Sequence, residues 1–185
     1  MNRRLLRKPG RFFHLALLAL LCPLGGNAAL TGYLKIGDIP GESQRADHEE
    51  EIDVHGIEWK IESDSSSVDG GRTRARAKVG PLKVRKFIDK SSPYLALAAM
   101  NGRVLPEATL AVRKDSGEAH LDYLVITMSN VRVTSYEVQS KDALDTPVEE
   151  VGFTFETINY KYVEQADDHS AGDEHEIEFD LTAGV

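Results

Sequence analysis

The stretch YLKIGDIPGESQRADHEEEIDVHGIEWKI, residues 33–61, decides the fold class. Apolar and polar residues alternate in both of its halves, around a loop rich in Gly, Pro, Ser and charged residues. A period of two places successive side chains on opposite faces, so each half is typical of a half-buried β-strand. The apolar phase slips by one residue at Gly56, which predicts a β-bulge. The loop contains no recognisable catalytic motif.

The same alternation continues along most of the chain. Further strand-like runs lie at 30–38, 80–87, 108–114, 119–139, 148–164 and 176–181. The run 119–139 is too long for an ordinary strand, so we expect it to split or bend near Ser129 and Asn130. Between the last two runs, residues 165–174 are predicted to form an acidic loop.

One segment has helical instead of strand character, over about residues 93–100. Ser92 is expected to cap the free amides of the first turn, and Pro93 suits the first helical position. The pair Asn101-Gly102 supplies a left-handed stop. Many strands with one short helix predict an all-β fold, arranged as a closed barrel or a sandwich.

The first 28 residues have the three-part pattern of a secretory signal peptide. Five bases and no acid occur up to Arg11, an apolar run FFHLALLALL follows at 12–21, and small residues precede Ala28. Such a pattern predicts cleavage after Ala28, because the apolar run is shorter than the about 20 residues of a membrane span. We therefore divide the chain into a signal peptide, 1–28, and one exported domain, 29–185. An uncleaved anchor is the alternative.

Removal of the leader would leave a strongly acidic domain. The remaining 17 bases and 30 acids give a net charge of −13. A surface of that sign repels phosphate, so a nucleic acid is not expected as a partner. The only cysteine, Cys22, lies in the leader. A domain without disulfides must be stabilised by its core or by oligomerisation.

No residue pattern indicates catalysis, a cofactor or a metal. The sequence has neither a GxSxG elbow nor an HExxH motif. His48 and His55 flank a run of acids, but their spacing matches no recognised zinc arrangement. The acidic segment 167–178 lacks the spacing of an EF-hand loop. We therefore predict a protein that is not an enzyme and has no catalytic, cofactor-binding or metal-binding residues.

Two charged groups are candidates for contacts between copies of the chain. The first is a basic stripe that lies on one face if its segment is extended, and the second is a short acidic run. The basic stripe comprises Arg72, Arg74 and Arg76, and the acidic run comprises Glu49, Glu50 and Glu51. A docking role and a charged strand edge that prevents unwanted pairing are equally compatible with the basic stripe. Complementary charges on one chain favour head-to-tail assembly.

Five motifs occur in a fixed order along the chain and carry a family resemblance. They are YLKIGDIPGES at 33–43, EIDVHGIEW at 51–59, FIDKSSPYLALAA at 87–99, and the runs 110–139 and 148–165. Together they resemble the haemolysin-coregulated proteins, Hcp, of bacterial type VI secretion. The resemblance covers nearly all of the chain after the leader, except for the tail 166–178.

The resemblance implies a β-barrel of two antiparallel sheets with one flanking helix. It also implies homo-hexameric rings that stack into a tube, with secreted effectors and other secretion-machine components as partners, and no cofactor. The family's extended loop that touches the neighbouring ring corresponds to residues 64–78. Since the family is made in the cytosol, the leader leaves two alternatives open. Either this is a secreted or periplasmic relative, such as a monomeric binding module, or the start site is misassigned and assembly is cytosolic.

Overall fold

The computed structural model describes residues 30–63, 77–116, 119–140, 146–166, 168 and 170–183. The predicted leader, 1–28, and the loop 64–76 lie outside the described residues. Within the described part there are eleven strands and one helix. They are β1 Thr31–Ile36, β2 Ile52–Val54, β3 Gly56–Glu58, β4 Ile61–Glu62, β5 Lys78–Val79, β6 Leu82–Phe87, α1 Ser92–Asn101, β7 Val104–Ser116, β8 Ala119–Gln139, β9 Val148–Thr154, β10 Thr157–Gln165 and β11 Ala171–Asp180.

Nine of the strands form one antiparallel sheet, and β4 and β5 form a second. The order in the large sheet is β2-β1-β7-β8-β9-β6-β3, with β10 on β8 and β11 on β10. Its two ends, β2 and β3, are separated by His55 alone, whose N–H donates to the carbonyl oxygen of Arg85 at 2.8 Å. The predicted β-rich fold with two antiparallel sheets is confirmed. The large sheet returns on itself through covalent chain at His55, without a closing ladder.

The phase slip at Gly56 marks a change of partner strand, so the predicted bulge is wrong. Val54 on β2 pairs with Gly32 on β1, whereas Gly56 on β3 pairs with Arg85 on β6, and both short ladders keep a constant register. A Cβ on Gly56 would approach the Arg85 Cβ to 3.3 Å. The slip therefore marks the point where the chain leaves β2, at one end of the strand order, and enters β3, at the other end.

The long strand β8 bends where the sequence predicts. Asn130 has a φ of 52°, in the left-handed region that asparagine tolerates better than most residues. Up to Ser129 the strand pairs with β10, and from Arg132 onward it pairs with β9. The bend thus divides the large sheet into two diverging parts that share β7 and β8.

An apolar core fills the space that the sheet encloses. Its fully buried side chains include Leu34, Leu110, Met128 and Phe153, each with 0% exposure. At the margin of this core, Trp59 stacks on Tyr160 with ring centroids 6.3 Å apart and donates its indole N–H to the Gly80 carbonyl oxygen. The face of the sheet that packs against the core therefore includes β10.

The helix agrees with its prediction except at its first turn. It spans Ser92–Asn101 and ends at Gly102, whose φ of 64° is the expected left-handed stop. Its N-cap is Ser91 and not Ser92, and the Ser91 side chain makes no capping bond. The Ser92 hydroxyl is instead used inside the protein, because it donates to the Glu149 carboxylate at 2.9 Å.

The last strand begins earlier than predicted. β11 starts at Ala171, so residues 171–174 belong to a strand and not to the predicted acidic loop. Glu174 pairs with Val163 and His175 with Tyr162 on β10. Backbone pairing with an available strand edge does not require alternating apolar side chains, which is why the local pattern missed this extension.

Candidate functional site

The predicted contact residues are only partly within the described structure. Glu49 and Glu50 are exposed, whereas Glu51 is half-buried and its Oε2 lies 2.8 Å from the His48 Nδ1. The three arginines of the basic stripe, at positions 72, 74 and 76, lie outside the described residues. The pairing of acidic run and basic stripe therefore stays a prediction.

The loop that precedes β2 is tied to the β7–β8 hairpin by one buried guanidinium. Arg113 is 7% exposed; its Nη1 donates to Asp47 at 2.9 Å, and its Nε donates to Asp122 at 2.7 Å. Hydrogen bonding from Arg113 holds the pKa of Asp47 well below its usual range, and the same bonding to Asp47 raises the pKa of Arg113. The Arg113 Nη2 also donates to the second oxygen of Asp47, at 2.5 Å. Such a bidentate contact between arginine and carboxylate fixes orientation as well as distance, so the loop has one defined position.

His48 completes this attachment from inside the loop. Its ring stacks on Tyr33 with centroids 4.1 Å apart and planes 7° from parallel. The Arg113 Nη2 approaches His48 Nε2 to 2.9 Å. The same Nε2 lies 3.2 Å from a carboxylate oxygen of Asp122, and the Nδ1 lies 2.8 Å from Glu51. The structure does not support His48 as a metal ligand, because both of its ring nitrogens contact other side chains.

A second buried network lies where the helix begins. Lys86 and Glu149 are 0% and 1% exposed, and their Nζ and Oε2 are 2.7 Å apart. The Lys86 Nζ also lies 2.8 Å from the Asp89 carboxylate and 3.1 Å from the Ser92 hydroxyl. The motif FIDKSSP therefore supplies partners to a lysine that comes just before it in sequence.

The hydroxyl of Tyr136 closes this network by donating to Glu149. Burial, followed by this bond to the carboxylate, raises the pKa of Tyr136 to about 12. With partners on β6, β8 and the helix, the Glu149 carboxylate keeps its charge compensated although it is removed from water. The network fixes α1 against the end of the sheet.

Among the exposed apolar side chains of the described residues, two groups stand out. The outward side of α1 presents Tyr94 (55% exposed), Leu97 (54%) and Met100 (78%), which we call the helix surface. The far end of the sheet presents Tyr162 (39%), Ile177 (65%) and Phe179 (38%), which we call the β11 surface. Clustered apolar side chains of this kind mark interaction sites more often than isolated ones do. Sequence periodicity missed both, because it does not tell which apolar residues the fold leaves uncovered.

The part of the chain that the structure describes shows no group of three or more His, Cys, Asp or Glu side chains arranged to hold a metal ion. Its single helix is neither long nor apolar enough to cross a membrane. An open depression beside the acidic run is lined by polar and charged side chains. These are Glu42, Ser43, Gln44, Glu49, Glu50 and Lys90.

Over the ranges that the structure describes, the chain is a β-rich domain with one helix, and it exposes the helix surface and the β11 surface. The family model described as "Type VI secretion system effector, Hcp" matches residues 33–162, and the chain belongs to this family. Protein hcp1 of Pseudomonas aeruginosa is 36% identical over 143 residues, which cover 76% of this chain and 87% of that protein.

Solved structures carry the same fold. The crystal structure of Hcp1 from Salmonella typhimurium has a TM-score of 0.69 at 29% identity, covering 84% of this chain and 97% of that chain. The structure of a type six secretion system protein has a TM-score of 0.77 at 26% identity, with coverages of 85% and 99%. The fold is therefore that of solved type VI secretion proteins along nearly the whole of their length.

Replacing Lys86 with methionine is expected to destabilise the protein by about 3–5 kcal/mol, because Glu149 would stay buried without its cation. The double variant Lys86→Met/Glu149→Leu should be more stable than Lys86→Met alone. Urea denaturation gives both values. The matched control is Lys83→Met on the same strand, since Lys83 pairs with Glu150 at a partly exposed site and should contribute about 0–1 kcal/mol. Equal losses for Lys86→Met and Lys83→Met would refute the role of the buried network.

Acid should weaken the attachment of the loop through Asp47. Because the folded-state pKa of Asp47 lies below its ordinary value of 3.8, its contribution is present above that value and is lost as the pH falls further. Asp47→Asn should therefore lower stability at pH 6 and reduce its further loss between pH 5 and pH 2. Chemical denaturation at a series of pH values measures this. An unchanged slope in Asp47→Asn would contradict it.

Proposed function

We propose that this protein is a ring-forming structural component of a type VI secretion system, acting in the tube and as an effector carrier. The observation that carries the proposal is the match of residues 33–162 to the family model of the Hcp effectors. Members of this family are structural secreted proteins. We infer that the protein performs no catalysis of its own.

The proposed assembly is a homo-hexamer whose rings stack. The helix surface, with three side chains more than half exposed, and the β11 surface, with Ile177 at 65%, support self-association, because a soluble monomer seldom leaves such clusters in water. Secreted effectors and other secretion-machine components are the further partners that we propose. A nucleic acid is not among them, since the charge of the whole chain is already −8.

Export is the part of the proposal that depends on the leader. We propose that residues 1–28 are a signal peptide and that residues 29–185 form the functional domain, secreted or periplasmic. If translation instead starts later than Met1, assembly takes place in the cytosol. N-terminal sequencing of the native protein distinguishes these, because cleavage after Ala28 leaves Ala29 as the first residue.

Ring formation is tested by size-exclusion chromatography with light scattering on the purified native protein. We expect a discrete species of several subunits, consistent with a hexamer, that persists on moderate dilution. A strictly monomeric species at high concentration would reject the ring and favour an exported monomeric binding module. Electron microscopy of the same fractions shows whether the rings stack.

Contacts between stacked rings are tested by charge reversal of the basic stripe. Replacing Arg72, Arg74 and Arg76 with glutamate should leave the fold intact and reduce stacking. The loss should be larger at low salt, because exposed charges are screened beyond about 10 Å at 0.1 M. Adding Glu49→Lys and Glu50→Lys, the two exposed acids of the predicted partner surface, should restore stacking. Stacking that is unchanged by the arginine reversals would remove the stripe from this role.

A further inference from the structure

The strand β11 forms an edge of the large sheet. It pairs with β10 alone among the described strands, and the ladder between the two is regular from Glu174 to Asp180. All of its ten residues except the last are exposed. The backbone N–H and C=O groups of residues 174–180 that point away from β10 can therefore pair with a further strand. We call this row of groups the β11 edge.

The β11 edge lacks most of the devices that protect strand edges. Native edges are commonly short, or they carry proline, lysine or a bulge. The sequence of β11, AGDEHEIEFD, contains neither proline nor lysine, and its ten residues exceed the usual strand length of about 5–6. What restricts pairing at this edge is the distribution of side chains over the two faces of the strand.

One face of β11 is apolar. Ile177 lies opposite Tyr160, and Phe179 lies opposite Ile158, so these side chains share the face of the sheet that packs against the core. Ile158 is only 4% exposed, whereas Ile177, one strand further out, is 65% exposed. The apolar face of the sheet thus extends beyond the side chains that cover it.

The opposite face of β11 is acidic. Glu174, Glu176 and Glu178 alternate with the apolar residues and therefore lie on the other side of the strand. Glu174 is 3.9 Å from the Nζ of Lys161, and Glu176 accepts a hydrogen bond at 2.6 Å from the neutral amide of Asn159. Within the described ranges, neither Glu176 nor Glu178 forms a salt bridge. This face therefore offers negative charge that a cation of another molecule can compensate.

The two faces together decide which strand the β11 edge accepts. A second β11 would place a row of carboxylates beside the first, and like charges on neighbouring strands are destabilising. A strand with lysine or arginine on that face would instead form favourable cross-strand pairs. The same strand needs apolar side chains on its other face to cover Ile177 and Phe179. The matching sequence is therefore one in which apolar and basic residues alternate.

We propose that the β11 edge binds an extended segment of a secreted protein, in which apolar residues alternate with lysine or arginine, as an added strand. Main-chain hydrogen bonds along the edge supply affinity, and the alternating side chains supply specificity. The inference rests on the proposed role as an effector carrier, for which it names the chemistry of the partner segment. It assigns the β11 surface to a partner of different sequence and leaves the helix surface to self-association.

A synthetic peptide tests the β11 edge in the full-length protein. Lysine and valine alternate in this peptide of about eight residues, which is within the ordinary length of a strand. The control peptide has the same composition, with all of its lysines before all of its valines. By isothermal titration calorimetry, the alternating peptide should bind about tenfold more tightly, because only its pattern places each residue type on the matching face. Equal affinities would overturn the proposal.

Amide hydrogen exchange locates the bound peptide. An added strand should slow exchange at every second amide between Glu174 and Asp180, since alternate N–H groups of an antiparallel strand point to the same side. Exchange on β1 should not change. Binding without new protection in β11 would also overturn the proposal.

Charge reversal tests how the partner is selected. In Glu176→Lys/Glu178→Lys, affinity for the lysine–valine peptide should fall about tenfold, and an alternating glutamate–valine peptide should bind instead. The matched control, Glu107→Lys/Glu137→Lys, makes the same change in net charge at exposed positions of β7 and β8 and should bind the lysine–valine peptide as the wild type does. Equal losses in the two double variants would refute selection by the acids of β11.

Further measurements separate this site from folding and from the ring. Circular dichroism should show the wild-type spectrum in all variants. The milder Ile177→Thr keeps a β-branched residue on the strand and should still weaken binding of the alternating peptide, because it removes apolar contact. A wild type that forms rings but does not bind this peptide would refute the site and keep the ring. A monomeric wild type that binds it would refute the ring and keep the site.

Discussion

A lysine and a glutamate that are hidden from water hold the helical end of this protein together. Lys86 and Glu149 come from neighbouring strands, and their carboxylate and ammonium groups are also bonded to Ser92 and Tyr136. A charge without a partner at this depth would cost several kcal/mol, so these side chains are acceptable only in the arrangement that satisfies them all. The start of α1, and with it the position of the outward helix surface, depends on that arrangement.

A parallel constraint operates at the other end of the sheet. Arg113 fixes the loop before β2 by bonds to Asp47 and Asp122. Within that loop, Gly41 passes so close to the Glu51 carbonyl that a Cβ would lie 2.2 Å from its oxygen. The conspicuous loop motif of the sequence is therefore a packed structural element. Glu49 and Glu50 are exposed, although the backbone of Glu50 is hydrogen-bonded to Gly41 and Ser43 within the loop.

Local patterns predicted much of the fold and little of the site. Alternation located the strands, and the excess length of one run indicated the bend at Asn130, because these signals lie within a few residues of the feature they report. The role of Ser92 could not be predicted in this way, since its partner Glu149 is 57 residues away. The uncovered Ile177 and the change of partner at Gly56 likewise depend on which strands meet, and that information is not local. The ordered motifs indicated the family, and the proposal of a ring rests on that family.

The single residue His55 between β2 and β3 has a consequence for how the molecule opens. One short segment, 52–58, is bonded to β1 at its first half and to β6 at its second. A thermal fluctuation that detaches this segment frees one edge of β1 and one edge of β6 together, because among the described strands these two are otherwise connected only through β7, β8 and β9. Amide protons on β1 and β6, far apart in sequence, thus belong to one cooperative opening unit. Seven residues, 52–58, thus connect the two ends of a sheet of nine strands.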